Sequence, residues 1–249
     1  MTEETPQEAA GLTGLPIPFG RYQILELLAV GGMAEVYRAS ETGPGGFHRQ
    51  LVIKRVKPKY ASNPSFIQMF VDEAKLSASL SHPNIVSVFE FGEAGGNYYL
   101  AMEYLDGLHL QAVHVRHVQR RKAPLPWPAS LLIVRDVLRG LEYAHSFCDA
   151  TGQSLGLVHR DINLVNIMMR RDGTPKILDF GIAKAKAGIR GAETAAGVLK
   201  GKFGYMSPEQ AEGRPLDRRS DVFSAAIVLH ELLTGRRLFW GNANLAILR

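Results

Sequence analysis

Three polar residues fall close together in the stretches HRDINLVN (159–166) and LDFGIA (178–183): Asp161, Asn166 and Asp179. A carboxylate can take a proton from a hydroxyl, and an amide oxygen beside a carboxylate suits a hard divalent cation such as Mg2+. Two groups of opposite charge, Lys54 in LVIKRV and Glu73 in FVDEAKL, lie far upstream. Ahead of them runs LAVGGMAEVY (28–37), whose small residues would let backbone amides approach an anion. Each signal has a plain alternative. A strand lysine is normally an exposed edge residue, a helix glutamate is a solvated charge, and a glycine pair is an ordinary hairpin turn.

The elements that must hold these residues change character along the chain. Residues 1–18 mix Pro, Gly, Thr and Glu and read as a disordered leader. YQILELLAV and AEVYRAS read as strands joined by the glycine turn. GPGGF (43–47) is a hairpin tip, and QLVIKRV (50–56) alternates as a third strand. PSFIQMFVDEAKLSASL (64–80) has apolar residues three and four apart, the pattern of an amphipathic helix. IVSVFEFG (85–92) and NYYLAMEYL (97–105) complete a sheet of about five strands. Beyond Asp106 the chain turns helical, with apolar stripes over 128–147 and 219–235. The expected class is α+β: a β-rich lobe over 19–105, a helical lobe over 106–249, and a cleft where ligands bind.

Composition narrows the field. At 249 residues and 46% hydrophobic content the chain can bury a large core. No apolar run approaches the ~18–20 residues of a membrane span. The acidic, polar N-terminus is unlike a secretory signal, and the single cysteine, Cys148, excludes an internal disulfide. A reducing, cytoplasmic setting is expected. The net charge of +5 is densest in HVRHVQRRK (114–122), which lacks interleaved aromatics for base stacking and reads as a solvated helix face. No nucleic-acid partner is expected.

In their order, and with MSPEQ (206–210) beyond them, these motifs resemble the bacterial protein kinases of the eukaryotic (Hanks) type that phosphorylate Ser or Thr. The likeness runs from about Tyr22 to the end. It implies that Ala29, Val30, Gly31, Gly32 and Val36 cover the phosphates of ATP. It implies that Lys54 pairs with the α- and β-phosphates while Glu73 holds it in place. AMEYLDG (101–107) would be the hinge, with Met102 as gatekeeper, backbone groups at Glu103 and Leu105 on adenine, and Asp106 on the ribose. A strand end and turn fits the same letters. Asp161 would be the catalytic base, with Asn166 and Asp179 as Mg2+ ligands. His159 would be packed structure and Arg160 an anchor for a phosphorylated loop, with Thr194 as acceptor and an unmodified loop as the alternative. Asp221 would brace the catalytic loop.

The chain departs from that family in four places. Ala29 and Ala34 stand where the outer glycines belong, at a cost of ~1–2 kcal/mol if positive φ is needed. Asn163 replaces the usual catalytic-loop lysine. Gly201-Lys202 replaces a Gly-Thr pair on the facing segment, which suggests that the cation has moved to Lys202. Finally, the family continues with further helices beyond the RRLFWGNANLAILR end (236–249). The expectation is a C-terminally truncated lower lobe, with Glu209 buried and lacking its arginine partner.

The reading is a Ser/Thr protein kinase using ATP and Mg2+ on protein hydroxyls in signalling, with autophosphorylation at Thr194. One rival is a pseudokinase scaffold, favoured by the missing lysine and opposed by the retained base and metal pair. Another is a small-molecule phosphotransferase, which would not need the long segment ending in MSPEQ.

Overall fold

A computed structural model describes residues 14–149, 151–180 and 203–239. They divide into two compact units: residues up to Ala74 with Val88–Tyr104, and Lys75–Ser87 with Leu105 onward.

In the first unit, alternating apolar residues build a six-stranded antiparallel sheet. Its strands are β1 (Ile17–Phe19), β2 (Tyr22–Val30), β3 (Ala34–Thr42), β4 (His48–Val56), β5 (Val88–Ala94) and β6 (Asn97–Glu103), in the order β1-β2-β3-β4-β6-β5. β1 falls within the stretch read as leader, because Ile17 pairs with Ile24 and extends the sheet. One face buries Tyr22, Ile24, Tyr37, Ala39, Leu51, Ile53, Tyr99 and Ala101 in a core with Phe19. β3 and β4 turn at Pro44–Gly46, where Gly45 and Gly46 adopt φ of 73° and 80°. A short helix α1 (Pro58–Ala61) follows, then α2 (Pro64–Ser79). Asn63 caps α2, its Oδ1 accepting the Phe66 amide at 3.1 Å. Phe66, Phe70 and Ala74, four residues apart, form its buried stripe.

The second unit carries α3 (Leu110–Arg121), α4 (Trp127–His145), α5 (Pro208–Ala211) and α6 (Arg218–Thr234), with a small sheet of β7 (Gly107–His109), β8 (Ile167–Arg170) and β9 (Pro175–Ile177). α4 turns Ile133, Val134, Val137 and Leu141 onto Ala225, Val228 and Leu232 of α6 and onto Ile162, Leu164, Ile167 and Ile177. Gly140 lets α4 lie close against Asn84 and Ile177: a Cβ there would stand 3.2 Å from the Asn84 carbonyl oxygen. α6 is capped by Asp217, which accepts the Arg219 amide, and ends at Gly235 with φ 70°. The basic run of 114–122 is indeed a helix face, with Arg116, Arg120 and Arg121 exposed on α3. Among the described residues no helix is long and apolar enough to cross a membrane. Ile85, expected in a strand of the first sheet, instead bridges to Ile177 in the second unit.

Candidate active site

Register collects the first group of candidate residues. Ala29 pairs with Val36, Val36 with Lys54, and Lys54 with Leu100, so these side chains form one cross-strand row. Val52 and Met102, two residues along, pair on the same face, where Met102 is buried. Glu73 reaches this face from α2, its Oε1 lying 3.7 Å from Lys54 Nζ. The lysine side chain is only 15% exposed, so it is not an ordinary edge residue. Val30 ends β2 opposite Glu35, and Gly31, Gly32 and Met33 form the turn itself, closed by the Gly31 amide donating to the Ala34 carbonyl at 2.8 Å. No residue from 29 to 34 has positive φ, so Ala29 and Ala34 carry none of the torsional cost expected of them. Glu103 pairs with Leu51 at the end of β6.

The opposite face of that sheet holds a pair the sequence reading missed. Glu35 and Arg55 are directly opposed across β3 and β4, 4% and 5% exposed. Arg55 Nη2 donates to Glu35 Oε2 at 2.6 Å, and the Tyr37 hydroxyl donates to the same oxygen at 2.8 Å.

The second group belongs to the other unit. Asp161 and Asn166 are brought together directly: Asn166 Nδ2 donates to Asp161 Oδ2 and to the Asp161 carbonyl, both at 2.8 Å. β8 and β9 then fold back, so that the Leu178 amide donates to the Asn166 carbonyl at 2.9 Å. His159 Nε2 donates to the Leu178 carbonyl at 2.8 Å, while its Nδ1 accepts the Asp161 amide at 3.2 Å. The imidazole is fully buried and works as a strut, as expected. Asp179 follows Leu178 directly and adopts φ 40°. With Nδ2 turned onto Asp161, the side-chain oxygen Oδ1 of Asn166 is left as the group that can accept or coordinate. An amide oxygen oriented by its own nitrogen, close to a carboxylate, is the hard-oxygen chemistry Mg2+ prefers.

Asp221, fully buried on α6, fixes the loop backbone. Its Oδ1 accepts the Arg160 amide at 2.8 Å and its Oδ2 the His159 amide at 2.7 Å. His145 Nε2 gives the carboxylate its third contact, the second on Oδ2, at 2.8 Å, and Gln210 Nε2 donates to the Arg160 carbonyl. Neither residue was singled out in the sequence, although Gln210 closes the MSPEQ motif. Leu105 is buried, and Gly107 leaves no room for a side chain because a Cβ would run into the Met169 carbonyl. Asp106 Oδ2 lies 2.7 Å from Arg171 Nε, an exposed ion pair.

Glu209 corrects one expectation. It is half-buried and accepts the Ser220 hydroxyl, which holds its carboxyl below the usual carboxylate range. It is therefore not a buried, unpartnered charge. Lys202 and Thr194 lie outside the described residues.

A curled antiparallel sheet bearing a Lys–Glu pair, followed by a helical unit with an Asp–Asn loop, defines a protein kinase. The protein kinase domain family matches residues 22–248, and the chain belongs to that family. Its relatives include the tyrosine-protein kinase MasK of Myxococcus xanthus, 46% identical over 98% of this chain and 37% of MasK. A probable serine/threonine-protein kinase of Streptomyces coelicolor is 40% identical over 92% of this chain and 32% of its own length. PknB of Mycolicibacterium smegmatis, a serine/threonine-protein kinase, is 36% identical over 91% and 34%. The chain thus spans about a third of the length of these curated relatives. Among solved structures, the PknI kinase domain of Mycobacterium tuberculosis superposes with a TM-score of 0.65 at 29% identity, covering 89% of this chain and 77% of that domain.

Proposed function

We propose that the chain transfers the γ-phosphate of ATP to Ser or Thr hydroxyls of proteins, with Asp161 as catalytic base. The observation that carries this is the Asp161 carboxylate, held by Asn166 in a loop whose backbone is tied to a buried aspartate. Asp161 takes the hydroxyl proton as the acceptor oxygen bonds to the γ-phosphorus and ADP leaves. Lys54, steadied by Glu73, holds the α- and β-phosphates beneath the turn at 29–32, and the segment from Met102 to Asp106 receives the adenosine. Mg2+, when bound, neutralises phosphate charge; Asn166 Oδ1 and Asp179 are the groups that would hold it. Retention of base, metal ligands and lysine together argues against a pure scaffold.

Asn163 points into its own loop and cannot supply the usual lysine charge, so that charge is assigned to Lys202 on the segment across from it in the family fold. A cation at ~4 Å is worth ~4 kcal/mol at an effective dielectric of 20 before desolvation, which sets the scale of what Lys202 must restore. Thr194 is the proposed autophosphorylation site.

A second reading, transfer to tyrosine, has one relative behind it: MasK, at 46% identity, is a tyrosine-protein kinase. The test is radiolabelled ATP with Mg2+ on a generic basic protein, followed by phosphoamino-acid separation. Label on Ser and Thr, lost in Asp161→Asn and Lys54→Met, supports the first reading. Label confined to Tyr supports the second. A folded wild type that binds Mg2+–ATP without transfer makes the chain a scaffold, and label on small-molecule hydroxyls alone makes it a small-molecule phosphotransferase.

A further inference from the structure

Asn163 stands where the family carries its catalytic-loop lysine, and the residue is only 3% exposed. All the hydrogen-bonding capacity of its side chain is spent within the loop. Nδ2 donates to the Asp161 carbonyl at 2.8 Å and to Asp161 Oδ1 at 3.2 Å. Oδ1 accepts the Val165 amide at 2.9 Å and the Asn166 amide at 3.2 Å. A primary amide has two N–H donors and two acceptor lone pairs, so these four contacts saturate it. A hydroxyl or carboxylate could keep the acceptor half, which is an Asx-type turn, but a carboxylate has no N–H or O–H to donate and a serine hydroxyl is too short to reach Asp161 Oδ1 as well.

The two halves act on different groups. The acceptor half ties the backbone that leads to Asn166. The donor half engages Asp161 Oδ1, while Asn166 engages Oδ2. Each oxygen of the base is therefore met by a separate side-chain amide, which restrains rotation of the carboxylate about its terminal torsion, a soft torsion when unrestrained.

We propose that Asn163 is a positioning residue for phosphoryl transfer: with Asn166 it clamps the Asp161 carboxylate from both sides and makes the loop self-braced without the usual lysine. The inference rests on Asp161 being the catalytic base. It deepens that reading by naming the side chains that meet both oxygens of the base in a loop that carries Asn at position 163. Asn163 acts through Asp161 and the turn backbone, to which its side-chain contacts are made.

The experiment compares the 249-residue chain with Asn163→Ser, which keeps a turn acceptor but whose shorter side chain withdraws the donor from Asp161 Oδ1. Asn163→Asp is the second variant; it keeps both acceptor contacts and sets a like charge against the base. Thermal melting, KM for ATP and kcat are read for each at fixed Mg2+. Both variants are expected to melt within a few degrees of wild type and to keep KM for ATP within about twofold. Their kcat should fall by ~10- to 100-fold, the scale on which misplacing a catalytic group by about an ångström acts. A turn-only role predicts kcat near wild type in both, because both retain the turn. If either variant folds and transfers phosphate within twofold of wild type, the inference is overturned. Asp161→Asn runs alongside: full activity in that variant, or none in wild type, overturns the base assignment and this inference with it, before the Asn163 variants are compared.

Discussion

The carboxylate of Asp221 reaches 61 residues back along the chain to accept the backbone amide of Arg160 at 2.8 Å. Arg160 has φ 66°, a left-handed conformation that a residue with a long side chain adopts only under restraint. Asp221 takes its amide on one side and Gln210 donates to its carbonyl on the other, so the strained peptide is held at both ends. Asp161, the next residue, inherits its direction from that peptide.

Replacing Asp221 with Asn would turn one acceptor oxygen into a donor facing a backbone N–H or His145. Leaving a buried donor unsatisfied costs about 1–3 kcal/mol. The Asn variant should lose about that much unfolding free energy in urea titrations and at least ~100-fold in kcat as Asp161 swings away. Wild-type kcat in the Asn variant would show that the loop holds itself.

The Glu35–Arg55 pair tests the sheet independently of the chemistry. Both side chains are buried on the face away from Lys54, and Arg55→Ala leaves the carboxylate there, among the described residues, with the Tyr37 hydroxyl as its side-chain partner. Breaking a buried pair from one side costs about 3–5 kcal/mol, whereas replacing both members with apolar groups is often close to neutral. Urea unfolding should therefore rank Arg55→Ala well below the Glu35→Leu/Arg55→Met double variant. Equal midpoints for the two would mean that the pair is hydrated.

His114 gives a pH dependence with a definite sign. It is buried on α3, its Nδ1 has no hydrogen-bond partner among the described residues, and burial lowers its pKa below 6.5 against a smaller upward pull from Glu231. His117 on the same helix pushes it down further. The unfolded chain then binds a proton below about pH 6.5 that the folded chain resists, so stability is full above that pH and declines as the pH falls through it. Unfolding free energies at pH 7.5 and pH 5.5 should differ less in His114→Gln than in wild type. Some slope will remain, because His82 shifts in the same direction. An unchanged slope in the variant would remove His114 from the account.

Lys202→Ala measures whether the catalytic cation has moved. If Lys202 replaces the lysine that Asn163 displaced, its removal should lower kcat by two to three decades, at ~1.4 kcal/mol per decade, with the melting temperature unchanged. An active enzyme whose rate ignores the substitution ends that idea.

Much of the site was legible because its parts are close in sequence. Asp161, Asn166 and Leu178 next to Asp179 are joined across one short hairpin, so a spacing pattern along the chain corresponds to a spatial one. Lys54 was legible as part of an ordered set of motifs, and its contact with Glu73 follows from a helix packing on one sheet face. Asn163 was read by what it replaces, a lost charge. Its actual role depends on side-chain contacts within a folded turn, which residue identity alone does not reveal. His145 could not be found at all, since its partner Asp221 lies 76 residues away. Glu209 was singled out in the sequence but its Ser220 partner was not, because that hydroxyl is placed by the start of α6.

Residue types and their alternation determined which strands and helices form, which faces are apolar, and which groups could act as base, cation or metal ligand. Tertiary structure decided the register that opposes Glu35 to Arg55, the left-handed turn at Arg160, and the amide pair around Asp161. The reason is physical. Periodicity is a property of neighbouring residues, whereas a hydrogen bond between distant groups exists only after packing has set their distance and angle.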